Sequence, residues 1–268
     1  KFENLDYIVV PWNPHKNINN VSRRWVNELR WRGEMLTNVP GNLMRLMNEE
    51  TNEKISLSWG KNKLVFLDHH LCHAAFGYYQ SGFKDAAILT IDGVGEWATT
   101  TICYGSKNKI DVEKEIHFPH SLGLLYSAFT QYIGFRVNSG EYKLMGLAPY
   151  GEPRYKDLIL DNLVDIKDDG SFRLDQSYFN YVSGLEMISK KFINLFGQPV
   201  RKPEDDELSL FHMDIASSIQ AVTEEIVLKI VKNMSEIYKT ENLCLAGGVA
   251  LNCVANGKIQ KSRLFKNI

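Results

Sequence analysis

Residues 64–93 read Leu64-Val65-Phe66-Leu67-Asp68-His69-His70-Leu71-Cys72-His73-Ala74 and, after nine further residues to Phe83, Lys84 and Asp85, Ala86-Ala87-Ile88-Leu89-Thr90-Ile91-Asp92-Gly93. The apolar runs 64–67 and 86–91 lack alternation and are flanked by polar residues, the pattern of central strands in a covered sheet. The segment His69 to Phe83 is long enough to cross between them as a helix, with Asp68 as N-cap and Gly82 as its end. A strand, a helix and a strand in that order place the chain in the α/β class.

On such a helix His69 and His73 project from one face a turn apart. That spacing lets two histidines grip one metal ion. Asp92 falls at the C-terminal end of the next strand, where open α/β sheets keep their ligand groups. Two imidazoles and a carboxylate suit iron, zinc or manganese. Histidines at a helix start also serve as caps, core hydrogen-bonders or surface residues, and spacing alone leaves both readings open.

The 268 residues suffice for one large domain or two moderate halves. Lys+Arg at 31 against Asp+Glu at 32 gives a net charge of −1, which offers no broad basic surface and argues against nucleic acid as the main partner. No apolar run reaches the ~18 residues of a membrane span. Lys1 to Tyr7 is polar and mixed, unlike a signal peptide. Cys72, Cys103, Cys244 and Cys253 are scattered without a C-x-x-C pair, so reduced thiols in a cytoplasmic protein are expected.

Along the chain, Tyr7 to Val10 reads as a short strand, and the absence of an initiator Met beside it suggests a chain cut from a longer protein. Asn20 to Met47 is helical in pattern until Pro40-Gly41, with Trp12, Trp25 and Trp31 as packing residues. Thr99 to Tyr104 and Ile110 to His117 continue the sheet as an antiparallel meander. The Asp92-Gly93-Val94-Gly95 turn between strands can face a phosphate with its N–H groups, although most such turns only turn. Ser121 caps a helix ending at Gly134, and Pro153 to Leu163 forms another. Residues 164–175 make a small exposed hairpin with Asp168-Asp169-Gly170 as its turn. Gln198 to Glu207 is a linker or surface loop. Leu208 to Lys239 is the longest helix, with a core-facing stripe through Phe211, Ile215, Ile219, Val222, Ile226, Ile230, Met234 and Ile237. Leu243 to Ala246 is a buried strand from which Gly247-Gly248 leads directly into a helix reaching about Ile259. A strand, a glycine pair and a helix let backbone approach a nucleotide closely.

Five ordered blocks resemble one family: D-H-H-L-C-H-A-A at 68–75, T-I-D-G-V-G-E-W at 90–97, F-P-H-S-L-G-L-L-Y at 118–126, G-E-Y-K-L-M-G-L-A-P-Y-G at 140–151 and L-A-G-G-V-A-L-N at 245–252. They are similar to the NodU/CmcH carbamoyltransferases. The resemblance implies an actin/sugar-kinase (ASKHA)-like fold of two related mixed-sheet halves flanked by helices. Residues 1–206 would form the metal-bearing half, and 207–268 the start of a nucleotide-binding half. It further implies that His69, His73 and Asp92 hold a divalent metal, Fe2+ first and Zn2+ or Mn2+ next. Gly93, Gly95, Gly247, Gly248, Val249 and Asn252 would face ATP or carbamoyl adenylate, which the family makes from carbamoyl phosphate in a YrdC-like domain. A later metal aspartate and that domain are expected beyond Ile268, so little activity is expected of this span alone.

The acceptor would be a small-molecule alcohol of secondary metabolism, and the protein a homodimer by default. Its hydroxyl needs a base, for which Glu141, His70 and His120 are candidates, with Lys143 either stabilising developing charge or pairing with Glu141. Two other readings stay open. One is a threonylcarbamoyl-transfer or hydrogenase-maturation relative acting on tRNA or a protein thiol. The other is a non-catalytic nucleotide-binding domain.

Overall fold

A computed structural model describes residues 8–10 and 64–268. The expected helix over Asn20 to Met47 and the packing of Trp12, Trp25 and Trp31 lie outside the described residues. Strands β1 (Ile8–Val10) and β2 (Leu64–Phe66) pair in parallel. Helix α1 (His69–Ser81) leads into β3 (Asp85–Ile91) as read, and Gly82 closes the helix in the left-handed region at φ 73°. The run 64–67, however, pairs with β1 and, among the described residues, is not a central strand of the sheet that holds β3. Two residues then separate the helix cap from the strand.

Strand β3 is the centre of a mixed four-stranded sheet. It pairs antiparallel with β4 (Ala98–Ser106), which pairs antiparallel with β5 (Lys109–His117). On its other side β3 pairs in parallel with β8 (Leu243–Ala246), giving the order β5-β4-β3-β8. Because strand side chains alternate between faces, β3 serves two cores. Ala86 and Ile88 pack with Ala74 and Tyr78 of α1. Ala87, Leu89 and Ile91 pack with α2 (Leu122–Tyr132) and α6 (Leu210–Ile237). The result is three layers, with β3 buried on both faces as its continuous apolar run predicts.

Helix α6 carries most of the expected stripe: Ile215, Ile219, Val222, Ile226, Ile230 and Met234 are buried, whereas Phe211 at its start is half-buried and Ile237 at its end is 45% exposed, so the stripe leaves the core at both ends. Burying six such side chains contributes on the order of 10 kcal/mol before entropy is counted. Between α2 and α6 lie α3 (Glu141–Leu147), α4 (Lys156–Asn162), the strands β6 (Val164–Ile166) and β7 (Phe172–Leu174), and α5 (Lys190–Phe196). Helix α7 (Cys253–Ser262) closes the described chain.

Three further expectations need correction. The hairpin β6–β7 turns at Gly170 as predicted, but Val164, Phe172 and Leu174 are buried, so one of its faces belongs to the core. Helix α4 begins at Lys156, three residues after Pro153. The glycine pair does not lead directly into a helix. A 3-10 turn over Gly248–Leu251 intervenes, and α7 starts only after Asn252 caps it. Residues on both sides of 206/207 share one core, and β8 joins the sheet of β3. Among the described residues no helix is long and apolar enough to cross a membrane.

Candidate metal centre

The N-terminal part of α1 and the residue that follows β3 meet here. His69 Nε2 lies 2.9 Å from Asp92 Oδ2, His73 Nε2 lies 3.0 Å from the same oxygen, and the two Nε2 atoms are 3.0 Å apart. The imidazole planes stand at 88° to each other, and all three side chains are about three-quarters buried. Among the described residues this is the one cluster of three or more histidine, cysteine or acidic side chains with converging donor atoms.

Protons alone do not satisfy this triangle. Each Nε2 carries at most one hydrogen, and a ring N–H is directed along one line. Two hydrogens serve two edges, leaving a third pair of electron-rich atoms in contact. A divalent cation resolves all three. Three donor atoms about 3 Å apart are close enough together to reach one such ion through bonds of about 2.1 Å.

The supporting groups explain why the carboxylate presents Oδ2. Gly93 N–H donates to Asp92 Oδ1 at 2.7 Å, and Gly248 N–H reaches the same oxygen at 3.3 Å. Burial by itself would raise the Asp92 pKa. Hydrogen bonds from both imidazoles and from Gly93 overcome it and hold the carboxyl well below the usual carboxylate range. Gly247 and Gly123 permit the close approach. Gly247 has φ +95°, and a Cβ there would lie 2.3 Å from the Ile91 carbonyl oxygen; a Cβ at Gly123 would lie 2.7 Å from the Asp92 carbonyl oxygen.

Gly93 and Gly248 aim their N–H groups at Asp92, while Gly95 N–H donates to Ala98 O within its own turn. Asn252 does border the cavity, but its amide is committed: Oδ1 caps α7 through Ala255 N–H, and Nδ2 donates to Gln220 Oε1.

Beside Asp92 opens a cavity of about 380 Å³, bordered by Gly93, Tyr126, Glu141, Tyr142, Gly248 and Val249 among others. Its walls carry two carboxylates, Asp92 and Glu141, and no lysine, arginine or histidine. A larger open groove of about 590 Å³ between α4, the hairpin and α6 shares no lining residue with it and none with the histidine cluster. Glu141 Oε1 accepts from Ser127 Oγ at 2.7 Å and Asn138 N–H at 2.9 Å, and Oε2 accepts from Gly140 N–H at 3.1 Å. Burial, and after it the nearby Glu224 and Glu141, push the Tyr126 phenol well above its ordinary range, so it stays protonated and donates.

The other base candidates sit elsewhere. His120 Nδ1 accepts from Leu174 N–H and its carbonyl accepts from Thr99, so it ties the hairpin to the sheet. His70 is 4% exposed, pairs through Nδ1 with Thr90 Oγ1 at 2.5 Å and borders a separate small cavity with Trp97 and Thr101. Lys143 is exposed, 5.9 Å over the Tyr142 ring, and does not pair with Glu141; positions two apart on a helix do not face each other.

One contributor was not legible. Both oxygens of buried Glu96 accept from His69 N–H at 3.1 Å, so a carboxylate 27 residues downstream, rather than the Asp68 side chain, binds the first amide of α1. It complements the helix dipole and fixes the turn carrying His69. Its place in the 90–97 block was visible, but nothing local linked it to position 69.

Among curated relatives, the chain is 62% identical over 205 residues to an uncharacterised protein of Synechocystis sp., covering 76% of this chain and 33% of that protein. It is 34% identical over 207 residues to the nodulation protein NolNO of Sinorhizobium fredii, covering 77% and 28% of the two chains. The nodulation protein NolO of Bradyrhizobium diazoefficiens is 33% identical over 205 residues, with 75% and 34% covered. The chain thus spans about a third of the length of these relatives. A family model described as Carbamoyltransferase N-terminus matches residues 2–268, and by that match the chain belongs to the carbamoyltransferase N-terminus family.

Proposed function

We propose that this chain is the metal-bearing, acceptor-side part of an O-carbamoyltransferase with an ASKHA-like fold. The carbamoyl group of carbamoyl adenylate, made from carbamoyl phosphate and ATP, passes to a hydroxyl of a small-molecule acceptor. The adenylate-forming chemistry belongs to regions of the relatives outside the third that this chain spans. The observation that carries the reading is the convergence of His69, His73 and Asp92 at one end of a cavity, in a member of this family.

A divalent ion held by these three residues, Fe2+ in our reading with Zn2+ or Mn2+ as alternatives, would supply the positive charge that the cavity walls lack for an adenylate phosphate. Gly93 and Gly248 orient Asp92, and Glu96 orients His69. Glu141 is held by Ser127, Asn138 and Gly140 in a fixed pose. Three of its roughly four acceptor positions are filled, which leaves one on Oε2 for the acceptor hydroxyl. In the transfer, a bond forms between the acceptor oxygen and the carbamoyl carbon. The bond from that carbon to the phosphate oxygen breaks, AMP leaves and the hydroxyl proton goes to Glu141. Val249 and the ring of Tyr142 give the cavity its apolar wall.

The test is mass spectrometry of full-length protein incubated with carbamoyl phosphate, ATP and a panel of alcohols. The expected product is an alcohol in which a carbamoyl group replaces the hydroxyl hydrogen. Formation of AMP and diphosphate with no carbamoylated alcohol across the panel, together with transfer to a thiol or to tRNA, overturns the assignment.

A further inference from the structure

We infer that Gln220 is a positioning residue for the metal-facing side of the cavity: its buried amide pairs face to face with Asn252 and fixes the Gly248–Leu251 turn against Asp92. The inference rests on the reading that His69, His73 and Asp92 hold an ion.

Gln220 lies in α6 and is 4% exposed. Its Nε2 donates to Asn252 Oδ1 at 3.0 Å while its Oε1 accepts from Asn252 Nδ2 at 2.9 Å, a reciprocal amide pair. The second Nε2 hydrogen goes to Glu224 Oε1 at 2.9 Å, and Oε1 also accepts from Tyr126 OH at 2.9 Å. All four hydrogen-bonding positions of the amide are thereby used. Turning the amide over would set its NH₂ against that of Asn252 and its oxygen against the Glu224 carboxylate. Glu224 is itself 5% exposed and fixed by Lys258 of α7. One orientation of Gln220 therefore satisfies every partner.

The pair acts where the turn is otherwise open. At its start, Gly247 packs against the Ile91 carbonyl. At its end, Asn252 caps α7 with the same Oδ1 that Gln220 holds. Between these anchors Gly248 N–H faces Asp92 Oδ1, and the residues Val249 to Leu251 are half-buried or exposed. No buried apolar side chain of the turn itself holds it in place. With Gln220 removed, Asn252 Nδ2 is left buried without an acceptor. The turn then relaxes to hydrate it, and Gly248 loses its aim at Asp92. Outer groups that orient a ligand carboxylate typically change metal affinity tenfold to a hundredfold.

A purely structural role for the pair, joining α7 to α6, predicts lower stability with unaltered ion binding. The experiment compares full-length wild type with Gln220→Met, measuring Mn2+ affinity by calorimetry and hydrogen exchange of segment 247–252 by mass spectrometry. Mn2+ binding is expected to weaken about tenfold, and exchange in 247–252 to speed up at least about tenfold while β4 and β5 amides stay unchanged. Gln220→Glu keeps the shape but sets an acceptor against Asn252 Oδ1 and Glu224. It carries the same two measurements if Gln220→Met does not fold. Unaltered affinity with unaltered exchange in 247–252 overturns the inference, even where the thermal midpoint falls. If wild type binds neither Mn2+ nor Zn2+ nor, without oxygen, Fe2+, the metal reading fails, and exchange alone decides on Gln220: acceleration confined to 247–252 upholds its hold on the turn, and uniform acceleration overturns it.

Discussion

Acidification should weaken this domain through one buried imidazole. His70 is 4% exposed; burial, the largest influence, lowers its pKa from 6.5 to about 4, with Asp92 opposing and His69 and His73 adding to the lowering. A base whose folded value is depressed binds fewer protons folded than unfolded between those two values. The contribution of this imidazole to stability is therefore intact above about 6.5, declines as pH falls through the window and is fully lost below about 4. The whole gap is worth about 3 kcal/mol, of which about 2 kcal/mol falls between pH 7 and pH 5. The assay is hydrogen exchange of the β3 and β4 core amides in chelator at both pH values, corrected for intrinsic rates. His70→Asn keeps a polar partner for Thr90 and removes the titration. The variant should lose about 2 kcal/mol less than wild type on acidification, because every other group titrates equally in both. Equal losses, within about 0.5 kcal/mol, would refute the reasoning and show that the imidazole is hydrated or charged in the fold.

Replacing either ligand histidine, His69→Ala or His73→Ala, in full-length protein should abolish Mn2+ binding and carbamoyl transfer together; a variant that keeps both removes that residue from the site. Glu141→Gln should slow transfer about a hundredfold or more with unchanged ion affinity, and an unchanged turnover would leave Glu141 only its contacts with Ser127, Asn138 and Gly140. Gly247→Ala must fit a Cβ 2.3 Å from the Ile91 carbonyl oxygen at φ +95°. It should cost about 2–4 kcal/mol, visible as a lower thermal midpoint, and a midpoint within roughly 1 °C of wild type would contradict the geometry.

The parts of the fold legible in the sequence were those carried by period and punctuation. The unbroken run 86–91 gave a strand buried on both faces, and the three-to-four spacing over 210–237 gave the long helix with its buried stripe. Gly82 and Gly170 marked their turns because each sits at positive φ, which few other residues tolerate. What stayed hidden depended on contacts between distant segments. The hairpin at 164–174 looks exposed by its charged tip, yet Phe172 and Leu174 reach a core formed by residues before and after it. Pairing of β8 with β3 joins positions more than 150 apart, and no local pattern announces such a partner.

The same division runs through the site, and it has a physical basis. His69 and His73 share a helix face, and Asp92 ends a strand, so local geometry was enough to bring three donors toward one point. The groups that make that geometry usable come from further away: Glu96 binds the amide of His69, Gly248 reaches Asp92, and Gln220 holds the turn that carries Gly248. A ligand set is specified by residue type and short spacing, whereas its orientation is specified by hydrogen bonds that close long loops. Glu141 shows the consequence. Its sequence block advertised an acid beside a base, but Lys143 points away and three uncharged donors hold the carboxylate instead. A fixed acceptor with one open position, facing a cavity without cations, is a more specific arrangement than an ion pair.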